Sequence, residues 1–519
     1  MGADTVFELP GGDAASPAAG DAVTKLTWPA ATPRRLPLGV QVLLAILAVS
    51  NGLFLVRAAA TPWFAAGCCL AVIAGLAVLF PRRESIFVGN PPWTTGCLIL
   101  ALVLSILGGA GHLMFASEDW IGRDAVLGDV VKGAWPVVYD WEGKSWFLRA
   151  PLGFYEIPGA VGALFGLKAA HMTVLVQNTA MLAAVLSLFV REVDGRWRRL
   201  TLLAVFLLFS GFDIIGIGKD WLLGKVFGYP FPFHMHIERW AGDLEYSSMM
   251  TDLFWAPNHG LPAFGFVAAY LSWRRKECSA AGLAAFAALA FFWSPLSAVG
   301  MAPFVLYALY RDLVTRELRL VALVAAGAVG AAMLPAVLFL HLGSGSVPHG
   351  LLLSKPGYPL RYVVFGLHEI LPALYLMLRA GHGDHKFSRA ELAIVSAILL
   401  LAPLYMMGAS NDFMMRASIV PLALASLVIG ERLISCIEQR QYKPMAAILV
   451  VLAIGAVTPG LEIARAFIHP ARPPGTEDVP RTWVVSPFSW APPDTYLAPL
   501  DALTPWRWLF KPAVPPPKK

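Results

Sequence analysis

About thirteen apolar stretches follow one another between residues 37 and 464, and ~17–25 apolar residues cross a bilayer as a helix. They lie near 37–57, 62–80, 93–115, 168–190, 198–217, 259–273, 279–293, 296–311, 320–341, 361–379, 390–408, 415–435 and 444–464. The pattern predicts an all-α fold, a polytopic transmembrane helix bundle. Stretches seven and eight are short and meet at Trp293-Ser294-Pro295, so they read as a re-entrant pair or as two short helices. Composition agrees: 14% of residues are charged, where a soluble domain averages about 25%.

The loops between the stretches carry the charge, and Lys and Arg set membrane orientation. With the N-terminus in the cytoplasm, the loops at Arg82–Arg83, Arg191–Arg199, Arg274–Lys276, Arg311–Arg319, Arg379–Arg389 and Arg432–Lys443 all fall inside. Two long polar loops, near 116–167 and 218–258, then fall outside with the 342–360 loop, the turn at Ser410-Asn411-Asp412 and the C-terminal segment. Residues 1–35, rich in Gly, Ala and Pro, read as a disordered cytoplasmic tail without a cleavable signal peptide. Residues 36–465 read as the membrane domain, and 466–519 as a Pro- and Trp-rich tail on the outer side. The five cysteines sit in or beside apolar stretches and suggest no disulfide framework. The basic residues occupy short loops and no nucleic-acid motif is present, so nucleic acid is not an expected partner. No Walker A motif is present either.

Ser117–Tyr139 is a polar island that holds Glu118, Asp119, Asp124 and Asp129, with Trp120 and Trp135 at its edges. Val126, Leu127, Val130 and Val131 form a stripe on a helix from about Asp119 to Lys132, which predicts an amphipathic helix lying on the membrane surface. Asp119 is either the N-cap of this helix or a catalytic carboxylate at the lipid–water boundary. Asp124 is the alternative acid. A second short apolar element lies between 150 and 166, where Arg149 and Glu156 read as an ordinary surface pair.

The second loop alternates polar and apolar residues at His234-Met235-His236-Ile237-Glu238. In an extended chain His234, His236 and Glu238 share one face, a donor set for a divalent metal. The same residues also suit an interfacial hydrogen-bonding network or, as a third reading, substrate binding with Arg239 facing a phosphate. Asn258 and His259 stand where the chain re-enters the bilayer, where polar groups bind or orient something. Asp412 and Arg416 are four apart, so they either form a salt bridge on one helix face or take up a lipid-linked phosphate.

The many spans, the acid just after a helix in SEDWIGRDAVLGDVV, the helix behind it, and further loops with His and Arg resemble the GT-C superfamily of integral membrane glycosyltransferases. The chain also resembles bacterial multi-pass proteins carrying PNH and NDFxMRxSI elements. In this chain the acidic loop follows the third span, and the acidic pair reads Glu118-Asp119. The resemblance implies transfer of a sugar from a polyprenyl-phosphate-linked donor to an envelope glycan or lipid acceptor, at the outer face of a bacterial inner membrane. It implies Asp119 or Asp124 as general base, Arg239 and Arg416 on the phosphate, and Asn258, His259, Asp412 and Trp120 on the substrate. Tryptophans also serve as interface anchors. No cofactor is required by the resemblance, and a divalent metal remains a candidate. A transporter or flippase of lipid-linked glycans is the alternative, and a membrane scaffold a third reading.

Overall fold

The computed structural model describes residues 36–80, 91–222, 236–379, 385–408, 410–485 and 495–512. The expected tail 1–35, the basic pair Arg82–Arg83 and the metal candidate His234 lie outside these residues. Each of the thirteen apolar stretches contains helix, and eight helices are long and apolar enough to cross a membrane. Among the remaining five, α3 (Pro91–Leu107) stops where Gly109 turns left-handed at φ 88°. Helix α10 (Pro257–Arg274) begins in Pro-Asn-His, α11 (Ala280–Ala290) is short, and α12 (Pro295–Val314) carries Arg311 and Asp312. Helix α17 (Arg389–Leu401) ends ahead of Pro403. Stretches seven and eight are two separate helices, broken at Ser294, whose side chain caps α12.

The bundle is layered by burial. Helix α10 and the pair α18 (Asp412–Ala417) and α19 (Ile419–Glu438) are buried along nearly their whole length. Helices α1 (Leu38–Ala58) and α6 (Leu167–Phe189) pack beside α10. Helices α2 (Pro62–Leu79), α13 (Leu320–Ala332) and α20 (Tyr442–Gly455) leave apolar side chains such as Leu70, Ile73, Val324 and Val450 more than half exposed. An exposed apolar surface of this extent fits lipid and not water.

The two ends of α10 differ. At its C-terminal end the described basic loops are tied together by charge. Arg274 pairs with Glu391 at 3.0 Å, Arg191 with Glu277 at 2.6 Å, Arg275 with Glu192, Lys276 with Glu317 and Arg198 with Glu438. The described parts of the loops that share one side in the charge reading therefore meet at one end. The other end of α10, about 27 Å away along 18 residues, carries Asn258 and His259.

Two elements depart from an all-α fold. The first long loop holds α4 (Asp119–Lys132), with the expected bounds, then a hairpin of β1 (Val138–Trp141) and β2 (Lys144–Leu148), then α5 (Gly153–Phe165). Two further strands, β3 (His349–Leu351) and β4 (Tyr405–Met407), pair antiparallel. The described part of the C-terminal segment folds back: α22 (Val479–Val485) packs on α4, and β5 (Leu497–Pro499) extends the hairpin through β2. Lys511 N–H then donates to the Ala58 carbonyl at 2.8 Å. This changes two expectations. The apolar stripe of α4 packs against protein and is not left open to lipid as expected, because α5, α6 and α22 lie against the helix and Val126, Leu127 and Val130 are fully buried. Arg149 and Glu156 are not a surface pair. Arg149 donates to the Leu340 and Thr495 carbonyls, and fully buried Glu156 faces Arg57 at 3.4 Å.

Candidate functional site

A cavity of about 260 Å³ opens beside the N-terminal ends of α4, α10 and α18. Seven of the candidate residues line it: Asp119, His236, Arg239, Asn258, His259, Asp412 and Arg416. They come from three loops separated by more than a hundred residues, and the C-terminal segment adds Trp483, Thr495 and Tyr496.

One wall is α4. Glu118, not Asp119, occupies the N-cap position, and Asp119 is the first helical residue. Its carboxylate, with 27% of the side chain exposed, faces the cavity 3.5 Å from the Arg123 guanidinium. Arg123, overlooked in the sequence although it sits four residues on, is buried under this wall and lies over the Trp120 ring. It donates through Nε to Asn258 Oδ1 at 3.1 Å. The Asn258 amide then donates to His259 Nε2 at 3.0 Å. That bond leaves the His259 proton on Nδ1, which donates to Ser294 Oγ at 2.8 Å. The break between α11 and α12 thus supplies the hydroxyl that fixes the tautomer of His259.

The second wall pairs Arg416 with Asp252, which is fully buried in α9 (Met249–Phe254). The separation is 3.9 Å, too long for a hydrogen bond, and neither Asp252 oxygen nor Arg416 Nε has a hydrogen-bond partner among the described residues. Burial pushes the Asp252 carboxyl well above the usual range despite the opposing charge of Arg416. Arg416 also acts electrostatically on Glu245 and Asp412. Among the described residues Arg416 pairs with Asp252 and not, as expected, with Asp412.

The third wall is a buried charge cluster around His236. Its Nε2 lies 3.2 Å from Glu245 and 3.6 Å from Glu238, and its Nδ1 lies 3.6 Å from Glu462. The ring rests against Trp255, with centroids 4.6 Å apart. Burial alone would lower His236, but the hydrogen bonds and charges of the surrounding carboxylates hold it well above the imidazole range. Burial drives Glu238 well above the carboxylate range, while at Glu245 burial is outweighed by His236, Arg239 and Arg416 together, which draw it below. Glu238 Oε1 accepts from Ser248 N–H and Thr251 O–H, and Oε2 has no hydrogen-bond partner among the described residues. His236, Glu238 and Glu245 bring one donor atom each within 4.8 Å of one another, a spacing open to a divalent cation. The extended-strand argument for His236 and Glu238 is corrected, because Ile237–Trp240 is a short 3-10 turn. Glu245, seven residues beyond Glu238, completes the set that His234 was expected to complete.

Two candidates leave the site. The Asp124 carboxylate turns away from the cavity, accepts from Gly475 N–H at 2.9 Å and faces His112 Nε2 at 3.0 Å, so it does not face a substrate there. Trp120 is 2% exposed and its indole N–H is shared between the Gly108 and Phe254 carbonyls, which makes it a packing anchor. No protein-family model, curated protein or solved structure matches this chain.

Proposed function

We propose that this chain is a membrane glycosyltransferase that moves a sugar from a polyprenyl-phosphate-linked donor to an envelope glycan or lipid acceptor. The observation that supports the reading is the shared cavity, in which Asp119 stands with Arg239, Arg416 and His259. Its volume, just under the ~300–1,000 Å³ of pockets for drug-sized ligands, suits one sugar and its phosphate. In this reading Asp119 takes the proton of the acceptor hydroxyl as its oxygen attacks the anomeric carbon. The bond from that carbon to the phosphate oxygen breaks, and the electron pair leaves on polyprenyl phosphate beside Arg416 and Arg239. The anomeric centre inverts in this single displacement. Asn258, His259 and Asp412 orient the sugar. A divalent cation held by His236, Glu238 and Glu245 would add positive charge beside the phosphate.

The membrane setting belongs to the same proposal: thirteen spans in a bacterial inner membrane, an inner N-terminus, and the cavity and C-terminal segment outside. Transport of a lipid-linked glycan is the second reading. It draws on Asp213 and Glu369, buried acids beside breaks in their helices, since discontinuous helices build transporter sites. The test is purified protein in vesicles with a polyprenyl-phosphate sugar and an acceptor extract. A new glycosidic product, lost with Asp119→Asn, is the expected result. Movement of the intact donor across the vesicle without a product would replace this reading by the second.

A further inference from the structure

The acid that leaves the cavity enters a different constellation. Asp124 on α4 meets His171 in the first half of α6 and His112 in the turn after α3, and all three side chains are at least 96% buried. His112 Nε2 is 3.0 Å and His171 Nδ1 is 3.8 Å from the same oxygen, Asp124 Oδ1. The two imidazole rings stand at 90° with centroids 4.9 Å apart. One donor atom from each residue lies within 4.8 Å of the others.

The outer contacts are arranged around these donors. His112 Nδ1–H donates to the Arg472 carbonyl at 2.9 Å, which aims Nε2 inward. Asp124 Oδ2 accepts from Gly475 N–H. His112 itself holds a left-handed backbone at φ 55°, directly after Gly111 at 77° in the turn that follows α3, a conformation uncommon for a residue other than glycine. With Nδ1 committed as donor, a neutral His112 would direct its Nε2 lone pair at a carboxylate oxygen. Positive charge must lie between them. A second proton satisfies that pair alone, but a proton bridges two atoms and a second histidine is directed at the same point. His171 Nδ1 faces Asp124 Oδ1 from 3.8 Å, beyond hydrogen-bond reach, and Nε2 on the other side of its ring is buried with no hydrogen-bond partner among the described residues.

We propose that His112, Asp124 and His171 form a metal site for a transition-metal ion of the zinc class. Two nitrogens and one carboxylate suit zinc, and ligands at ~2.0–2.1 Å on a tetrahedral ion stand about 3.3 Å apart, between the two separations observed. Hydrogen bonds to the far side of a metal-bound histidine and carboxylate are the usual support of such a site. Here both come from residues 472–475. The ion therefore joins α4, α6 and the turn after α3 to the C-terminal segment that carries Trp483 and Tyr496 to the cavity. The site does not rest on the glycosyltransferase reading.

The test uses the full chain in detergent, stripped with a chelator and dialysed against zinc. A His236→Gln background silences the cavity cluster, and there elemental analysis should find about one zinc per chain. Adding His171→Gln or Asp124→Asn should lower the affinity at least tenfold. Should either variant fail to fold, zinc X-ray absorption on the His236→Gln chain decides, with two imidazoles in the first shell expected. Stripping should also render the segment after residue 470 protease-sensitive. No zinc retained in the His236→Gln chain, unchanged affinity in folded ligand variants, or a shell lacking two imidazoles would each overturn the proposal.

Discussion

Arg123 Nε donates to Asn258 Oδ1 at 3.1 Å, joining two helices that begin 138 residues apart, at Asp119 and Pro257. The same guanidinium lies 3.5 Å from Asp119, and the same asparagine donates to His259. Acid, guanidinium, amide and imidazole are therefore positioned as one unit. A shift of any member moves the others.

Asp119→Asn retains the shape of this unit and removes the carboxylate proposed as base. Turnover should fall ~10²–10⁴-fold, the usual contribution of a positioned general base. Expression and melting temperature should stay near wild type. Sugar transfer in reconstituted vesicles measures it, and turnover within a few-fold of wild type removes Asp119 from the mechanism.

Arg123→Lys retains the charge and loses the planar fork that reaches two partners at once. Misplacement of a reacting group by about 1 Å costs on the order of 10²-fold. The loss should appear in kcat with KM little changed, together with ~1–3 kcal/mol of stability from buried groups left unsatisfied. Steady-state kinetics and thermal unfolding of the same preparation separate the two effects.

Arg416→Ala should act mainly on donor binding. Burial favours a neutral Asp252, so the substitution leaves no strongly charged acid behind it. Losing a hydrogen bond to a charged phosphate is worth ~1.5–3 kcal/mol, which raises the donor KM roughly 10–100-fold. If the variant instead shows a lowered melting temperature while the KM of its folded form is unaltered, Arg416 serves Asp252 and not the donor.

Asp129 links pH to the docking of the C-terminal segment. Its carboxylate accepts from Tyr139 O–H at 2.7 Å and Val479 N–H at 2.9 Å, and burial raises its pKa from 3.8 to about 6. The folded form therefore holds the proton more tightly than the unfolded one. The associated stability is present below about pH 4 and is lost as pH rises through about 6. Limited proteolysis should cut the segment after residue 470 faster at pH 7.5 than at pH 5, and Asp129→Asn should flatten that difference.

Gly300→Ala tests how closely α12 supports α18. A Cβ at Gly300 would lie 2.3 Å from the Ala417 carbonyl oxygen, next to Arg416. Overpacking of this kind costs ~1–3 kcal/mol. A lowered melting temperature with a raised donor KM is expected. A change in melting temperature alone would mean that α18 does not transmit the shift.

The helices were legible in the sequence because apolar runs and capping residues are local properties. The bounds of α4 follow from its own valines, and the single-ended clustering of the basic loops follows from counting Lys and Arg. Asp119, His259 and Arg416 were legible as polar residues at helix mouths. What was hidden is long-range. Nothing near Glu245 marks it as the partner of His236, and nothing in the Pro- and Trp-rich segment announces a strand added to β2. The spacing argument also failed where the backbone chose a tight turn at Ile237–Trp240 over an extended chain. Asp119 and Asp124 look equivalent in sequence, yet five residues on a helix of 3.6 per turn rotate a side chain by about 140°, enough to send one carboxylate to the cavity and the other to two histidines.

The strand Leu497–Pro499 and the residues that reach back to Ala58 have a consequence for how the molecule is made. A ribosome releases Asp119 early and Arg416 late, but Thr495 and Tyr496 emerge only after every apolar stretch has been translated. Until then the recess lacks the side that the C-terminal segment supplies. Insertion of the helices and completion of the pocket are thus separate events, and a nascent chain can be fully threaded through its bilayer while its working end is still open.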